Sequence, residues 1–424
     1  VEDLHVKVLV IGGGGREHAL CWALRRSARV TEVVCAPGNA GIAAVAECVP
    51  VQQDSVADMV RVVDAVAPGL VVIGPEVPLA AGIVDALAER GVRAFGPTKA
   101  AAQLESSKAF TKAFLERHGI PTARYVTVET IEEARAALPG FLLPVVVKAD
   151  GLAAGKGVVI AASMEEADAA CVELLPLNGS VVIEEFLEGE ELSFFALCDG
   201  TTAVSIAAAQ DHKRIGEGDT GPNTGGMGAY STDALLPDEL KKWLLERVAQ
   251  PTVDGMRDEG TPFRGVLFCG IMLTSDGPKV LEFNTRWGDP ETQAILLRME
   301  TDVMDLFEAS IDGTAAGLEV KMKPGASVCV IQASAGYPAG AEKGVVIHGL
   351  DAALPAGVEV FHSGTALNAG GEIVTAGGRV LGVTAVADNL RRALGKAYDA
   401  LGEISFRGMQ YRRDIGHRAL ARER

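Results

Sequence analysis

The chain has 424 residues, 48% of them apolar and 22% charged, with a formal net charge of -17. That length suits two to four domains with sizeable cores. The acidic balance argues against nucleic acid as a partner of the whole surface; a small phosphorylated ligand would need local Lys, Arg or metal ions. Cys21, Cys35, Cys48, Cys171, Cys198, Cys269 and Cys329 are odd in number and form no C-x-x-C pair. They read as reduced thiols in a cytosolic core, not as a disulfide framework or zinc site. No run approaches the ~18 apolar residues of a membrane span. The acidic lead-in runs directly into a strand, so no signal peptide is expected and the location reads as cytoplasmic.

In chain order, the apolar run Val6–Ile11 closes at Gly12–Gly15 and leads into a helical pattern. Further apolar runs at 33–36, 70–73 and 92–95 each end in a Gly/Pro turn. Apolar strands alternating with helices imply a covered parallel sheet, a first α/β domain over 1–104. A single helix is predicted over about 99–118, stopped by Gly119-Ile120-Pro121. A compact α+β stretch follows over about 121–188, with capping boxes at Thr130/Glu133 and Ser163/Glu166. Its strands are predicted at 144–148, 158–161 and 181–186. Residues 210–230 are rich in Gly, Asp and Asn and read as a long functional or disordered loop. A helix near 235–256, a hairpin turning at Ser275-Asp276-Gly277 and a helix near 291–309 complete a central domain over 105–312. After a linker at 313–317, strands at 327–333, 358–361 and 380–387 and a helix at 389–401 form a small α+β domain over 325–424.

The first Gly cluster fails as a dinucleotide fingerprint, because Glu17 occupies the place of the third Gly and the second strand ends in Ala36-Pro37-Gly38-Asn39. Gly-rich backbone opening a helix still makes a phosphate cradle, with a merely tight turn as the alternative. Arg16 could add a charged contact. The loop Gly151–Gly157 fails as a P-loop by spacing and by its strand–strand flanks, leaving a Gly-rich hairpin able to cover a nucleotide. Lys148 ends the strand Pro144-Val145-Val146-Val147; it either meets an anion or reaches solvent from the strand end. Glu184, Glu185, Phe186, Leu187, Glu190 and Glu191 make a dense acidic patch. Strand alternation turns at least one of these carboxylates toward a partner such as a ribose or adenine amino group. In Leu281-Glu282-Phe283-Asn284-Thr285-Arg286, period two puts Glu282 and Asn284 on one face, about 7 Å apart. That spacing suits Mg²⁺ shared with phosphate oxygens; the alternative is a structural polar strand end. Arg286 follows on that face and can hold a carboxylate or phosphate.

The order of these pieces resembles the ATP-grasp superfamily. Within it, several strings resemble the phosphoribosylamine–glycine ligase family: Gly13-Gly14-Gly15-Arg16-Glu17-His18, Ala36-Pro37-Gly38-Asn39, Ser107-Lys108-Ala109-Phe110, the loop Lys148–Gly157, Gln210-Asp211-His212-Lys213-Arg214, the loop Asp219–Tyr230, Gly288-Asp289-Pro290-Glu291-Thr292-Gln293, and Gly377-Gly378-Arg379-Val380-Leu381. Trp287 departs from the family's usual Phe, and a packing adjustment is expected there. The resemblance implies ATP as cosubstrate, Mg²⁺ or Mn²⁺, and glycine and 5-phosphoribosylamine as substrates of a ligase acting alone on this chain. A monomer or weak homodimer is expected, with neither nucleic-acid nor membrane partners. It further implies ATP phosphates on Lys108 and Lys148, and a lid of Gly151–Gly157 that includes Gly155, Lys156 and Gly157. Glu184, Glu185, Phe186 and Leu187 would form the adenine hinge, with Glu190 or Glu191 at the ribose and the metal on Glu282 and Asn284. Arg286 would hold glycine's carboxylate or the acyl phosphate. Gly14, Gly15, Arg16 and Asn39 would take the sugar phosphate. Asp211, Lys213, Asn223, Thr224, Gly225 and Gly226 would close over the amine, with Arg286, Lys148 and Asp211 the catalytic set. Rival readings are another ATP-grasp ligase, a biotin-carboxylase-like enzyme, a non-catalytic nucleotide-binding module, and a dehydrogenase, which Glu17 disfavours.

Overall fold

The computed structural model describes residues 5–152 and 157–422. Its first sheet has five parallel strands in the order Glu47–Cys48, Val30–Pro37, Val6–Gly12, Leu70–Ile73, Ala94–Phe95. Val8 and Val10 pack into one core and Leu9 and Ile11 into another. Burial on both faces explains why the strand reads as an unbroken apolar run. The strand order reverses at Val6–Gly12, so the Gly12–Gly15 turn lies at the switch point, where open α/β sheets bind ligands.

A second sheet orders Tyr125–Val128, Val181–Glu185, Val145–Ala149 and Val158–Ala161, all antiparallel. With the helices Ile131–Ala137 and Met164–Asn178 it buries a core of its own. Thr130 and Glu133 make the reciprocal capping box. At the second helix Ser163 caps Glu166 N, but Glu166 reaches back to Ala162 N instead.

The third sheet has eight antiparallel strands: Gly277–Asn284, Arg264–Thr274, Glu190–Asp199, Ala203–Asp211, Gly228–Thr232, Ala326–Ala333, Arg379–Ala387 and Val358–His362. It runs from the central segment into the last one without a break. Gly228–Thr232 pairs with both Ala203–Asp211 and Ala326–Ala333, joining the two.

Several expected elements are subdivided. The helix expected over 99–118 is two, Gln103–Ser106 and Lys108–Arg117, because Ser107 adopts an extended conformation and caps Phe110 N at 3.1 Å. The region 291–309 likewise holds two helices, Glu291–Arg298 and Val303–Asp312, with Asp302 capping the second. Residues 210–230 form a small hairpin, Arg214–Gly216 with Thr220–Asn223, followed by the bridging strand. Trp287 is 1% exposed and stacks against Phe195 with centroids 6.2 Å apart, so the larger ring fills core. No helix among the described residues is long and apolar enough to cross a membrane.

Candidate active site

A cleft opens between the 121–188 subdomain and the edge of the eight-stranded sheet. From the subdomain it is lined by Lys148, Gly151, Leu152 and Gly157, and from the body by Lys108, Lys112, Glu282, Asn284 and Arg286. Glu282 and Asn284 reach it together from one face of Gly277–Asn284, while Phe283 is 2% exposed on the other. A bulge at Leu281 precedes them and leaves their shared face intact.

The cations of this cleft are held by carboxylates. Glu184 is buried between Lys112 and Lys148, paired to both, and Lys112 also donates to Thr122 Oγ1 at 2.8 Å. Burial alone would raise the Glu184 pKa; the two ammonium groups outweigh it and hold the carboxyl below its usual range. Burial lowers the Lys112 and Lys108 values. Lys108 donates to Gly151 O at 2.8 Å, tying its helix to the Gly-rich hairpin. Arg286 is clamped by Glu105 at 2.8 Å and Glu76 at 3.1 Å. Against the cost of burial, that pair raises the Arg286 pKa further, so it stays a fixed cation. Burial would also raise Glu282, but Lys213, Lys148, Lys108 and Arg286 together lower it, leaving an ionised carboxylate at the centre of four cations.

The donor set fits a divalent ion. Glu282 supplies an ionised, half-exposed carboxylate and Asn284 a second oxygen on the same face. Among the described residues no group of three or more His, Cys, Asp or Glu side chains could hold a metal alone. An ion here would therefore complete its shell with phosphate and water oxygens, as Mg²⁺ commonly does.

The other expected residues lie around this cleft. Lys213 links to it, 2.7 Å from Glu191 and 3.9 Å from Glu282. Glu190 is paired with Arg422 and Glu185 accepts from Arg124 N at 3.0 Å. Leu187 packs with Ala123 and Met272, while Phe186 is exposed. The Glu184 carboxylate is already claimed by the Lys112 and Lys148 ammonium groups. Gly155 and Lys156 lie outside the described residues.

The loop carrying Asn223–Gly226 is fixed from the last domain. Tyr337 Oη accepts from Gly225 N at 2.9 Å, Arg379 donates to Gly225 O and Asp289 O at 2.7 Å each, and Arg412 pairs with Asp219 at 2.9 Å. Gly226 has φ +112, and a Cβ there would come within 2.7 Å of Asp211 Oδ1. Burial and the neighbouring Glu291 charge push Asp211 well above the usual carboxylate range.

At the Gly-rich turn one expectation, for the Asn39 side chain, changes. The Asn39 amide donates to Gly13 O and His362 O, and its carbonyl accepts from Gly41 N and Ile42 N. Its side chain thus shapes the loop and has nothing left for a phosphate. Arg16 is bound to Glu17 and to Trp287 O. Sequence reasoning missed Lys112, Glu76 and Glu105. For Lys112 a signal existed, since it lies four residues from Lys108 on the same helical face.

A cleft with three lysines, a carboxylate–amide pair on a strand end, an arginine behind it and a separate antiparallel subdomain above it defines an ATP-grasp enzyme. Residues 6–105, 106–292 and 327–418 match, respectively, the family models for the N domain, the ATP-grasp (A) domain and the C domain of phosphoribosylglycinamide synthetase. The phosphoribosylamine–glycine ligase of Xanthomonas axonopodis pv. citri is 50% identical over 428 residues, covering 99% of both chains. That of Vibrio parahaemolyticus is 49% identical over 427 residues, again covering 99% of each. The crystal structure of the Thermotoga maritima phosphoribosylamine–glycine ligase superposes with a TM-score of 0.84 at 37% identity, over 97% of this chain and 100% of that one. A biotin carboxylase from Campylobacter jejuni shares the fold, with a TM-score of 0.74 at 14% identity over 97% and 94% of the two chains. The chain belongs to the phosphoribosylamine–glycine ligase family, and it is an ATP-dependent ligase.

Proposed function

We propose that this chain joins glycine to 5-phosphoribosylamine, converting ATP to ADP and phosphate through glycyl phosphate, to give glycinamide ribonucleotide for purine biosynthesis. The observation that carries this reading is the convergence of Lys108, Lys148, Lys213 and Arg286 on Glu282 beside Asn284. A carboxylate is a poor electrophile, because its oxygen is a poor leaving group. Attack of glycine's carboxylate oxygen on the γ-phosphorus releases ADP and forms a mixed anhydride, glycyl phosphate, from which that oxygen can leave with the phosphate. The amine then attacks the acyl carbon, phosphate leaves, and the amine loses one proton.

Catalysis of such a transfer is mainly positioning and charge neutralisation. Lys108 and Lys148 bind the ATP phosphates, and Arg286, fixed by Glu76 and Glu105, holds glycine's carboxylate and then the acyl phosphate. Glu282 and Asn284 hold Mg²⁺ or Mn²⁺, which when bound offsets the phosphate charge. The Glu185–Leu187 segment takes the adenine, with Glu191 nearest the ribose. Asp211, Lys213 and the Asn223–Gly226 loop close over the amine substrate, and the Gly151–Gly157 segment excludes water from the acyl phosphate.

The test is ADP release with Mg²⁺-ATP in the presence of glycine, of phosphoribosylamine generated in situ, and of both. Turnover that requires both is expected. Equal turnover without phosphoribosylamine, or with a different amine–acid pair only, would overturn the substrate assignment.

A further inference from the structure

The hairpin of Arg214–Gly216 with Thr220–Asn223 has little of its own to hold it in shape. Two short strands alone are marginal in water, and every residue of Thr220–Asn223 is exposed. Its turn holds Asp219 at φ +57, a left-handed conformation that side chains disfavour. Yet this hairpin stands between two pieces of the candidate site. Lys213 precedes it and Asn223–Gly226 leaves it, and Thr224 closes its root by donating to Lys213 O from N at 2.7 Å and from Oγ1 at 2.8 Å. What shapes the hairpin is the last segment of the chain. Arg412, 0% exposed, donates through Nη1 to Asp219 Oδ1 at 2.9 Å and to Arg214 O at 3.1 Å. Its Nε and Nη2 donate to the two carboxylate oxygens of Asp414, at 2.8 and 2.7 Å. Asp414 Oδ2 also accepts from Gly218 N at 2.8 Å, and Arg418 donates to Asp219 Oδ2. A second grip lies at the root. Gly416 N donates to His212 Nε2 at 3.1 Å, so the ring carries its proton on Nδ1, which donates to Gly228 O at 3.2 Å.

The end of the chain thus grips one loop at both tip and root. A bidentate Arg–carboxylate pair fixes orientation as well as distance. A buried ion pair adds little net stability over apolar packing, so its use here is to impose one arrangement. We infer that the segment Arg412–Arg418 is the positioning brace of the amine site. It sets the Lys213 ammonium and the Asn223–Gly226 stretch before the amine arrives, and so governs the affinity for the amine substrate and not that for ATP. Arg412 acts through Asp219 and the hairpin, at the far end of which Lys213 lies 2.7 Å from Glu191. A loop ordered in advance spares the ligand the entropy of ordering it. The inference rests on the ligase reading above for the substrate that the loop receives, while the brace itself stands on the contacts.

The test uses the full chain with two substitutions. Asp219→Asn keeps a residue that tolerates the left-handed φ but turns an amide NH₂ toward one of the two arginines. Arg412→Lys keeps the charge and loses the fork. In each, the KM for phosphoribosylamine generated in situ should rise about tenfold, the size of one lost hydrogen bond to a charged group, with the KM values for ATP and glycine unchanged. Amide hydrogen exchange, read by mass spectrometry on peptides spanning 212–226, should quicken in both variants while Val145–Ala149 exchanges as before. Exchange that quickens throughout, with all three KM values moving together, would reduce the segment to a general stabiliser and overturn the proposal. An unchanged amine KM beside faster local exchange would overturn it too. Asp219, at the hairpin tip, decides alone if Arg412→Lys does not fold. If the wild type fails to turn over glycine and phosphoribosylamine, the ligase reading falls and exchange decides the brace: an unchanged rate across 212–226 in Asp219→Asn would overturn it, and a faster one would retain it.

Discussion

In the cleft under the 121–188 subdomain the cations arrive already paired: Lys112 and Lys148 share Glu184, Arg286 sits between Glu76 and Glu105, and Lys213 lies against Glu191. At the junction of Gly15, Gln293 and Ser363, by contrast, the polar side chains are neutral, and Gln293 Oε1 and Ser363 Oγ are unpartnered. On the function proposed above, the first region handles a highly charged nucleotide and a phosphoryl group in flight, so its charges must be fixed before the ligand arrives. Charge makes the first region sensitive to the loss of a partner. Shape makes the second sensitive to added atoms.

The largest expected effect is in the charged region. Glu282→Ala should lower turnover on the order of 10³-fold, as loss of a main electrostatic element does, with circular dichroism and melting unchanged. Near-normal turnover by the folded variant would remove the metal assignment. Next comes Glu184→Ala, which leaves two buried ammonium groups without their anion. Breaking a buried ion pair from one side costs about 3–5 kcal/mol, readable as a shift in the urea midpoint. A loss under about 1 kcal/mol would mean that water already solvates this triad.

The junction between first and last domains should respond to pH. His18 Nδ1 accepts from His362 N at 2.8 Å, which requires an unprotonated ring nitrogen. Burial, with the His362 charge adding, lowers the His18 pKa to about 3, and burial lowers His362 to about 4, from 6.5. Both values are depressed in the folded state, so the unfolded chain binds more protons below pH 6.5. Stability is therefore fully present above 6.5 and is lost as pH falls toward 4, at about 1.4 kcal/mol per histidine per pH unit. Denaturation midpoints at pH 7, 6 and 5 measure this. His18→Asn should flatten the profile, and an identical slope in that variant would exclude His18 as a source. The smallest effect is Gly15→Ala, where a methyl would press on both Ser363 and Gln293. A destabilisation of about 1–3 kcal/mol is expected for such overpacking, read as a shift in the urea midpoint. Full tolerance would show that the junction has slack.

The same contrast explains what the sequence disclosed. Lys148 on an apolar strand and Glu282 with Asn284 at period two are local anomalies, and local patterning exposes them. Glu76 and Glu105 lie some 200 residues from Arg286 in sequence, so only the folded chain shows that they clamp it. Ser363 carries no local signal; a serine is unremarkable until its partner is found missing. Asn39 looked like a ligand because its string is distinctive, yet its four hydrogen bonds make it a loop brace. The helix break at Ser107 followed the same logic, a local cap prevailing over a continuous apolar pattern. The linker at 313–317 marks a change of segment but not of sheet, because strand pairing across Gly228–Thr232 leaves no compositional trace.

The most direct measurement is isotope transfer from glycine labelled with ¹⁸O in its carboxylate. In the full reaction with Mg²⁺-ATP and phosphoribosylamine, one labelled oxygen should appear in the inorganic phosphate and the other should remain in the amide product. Phosphate free of label, formed in step with product, would contradict the acyl phosphate and with it the roles given to Arg286 and Glu282.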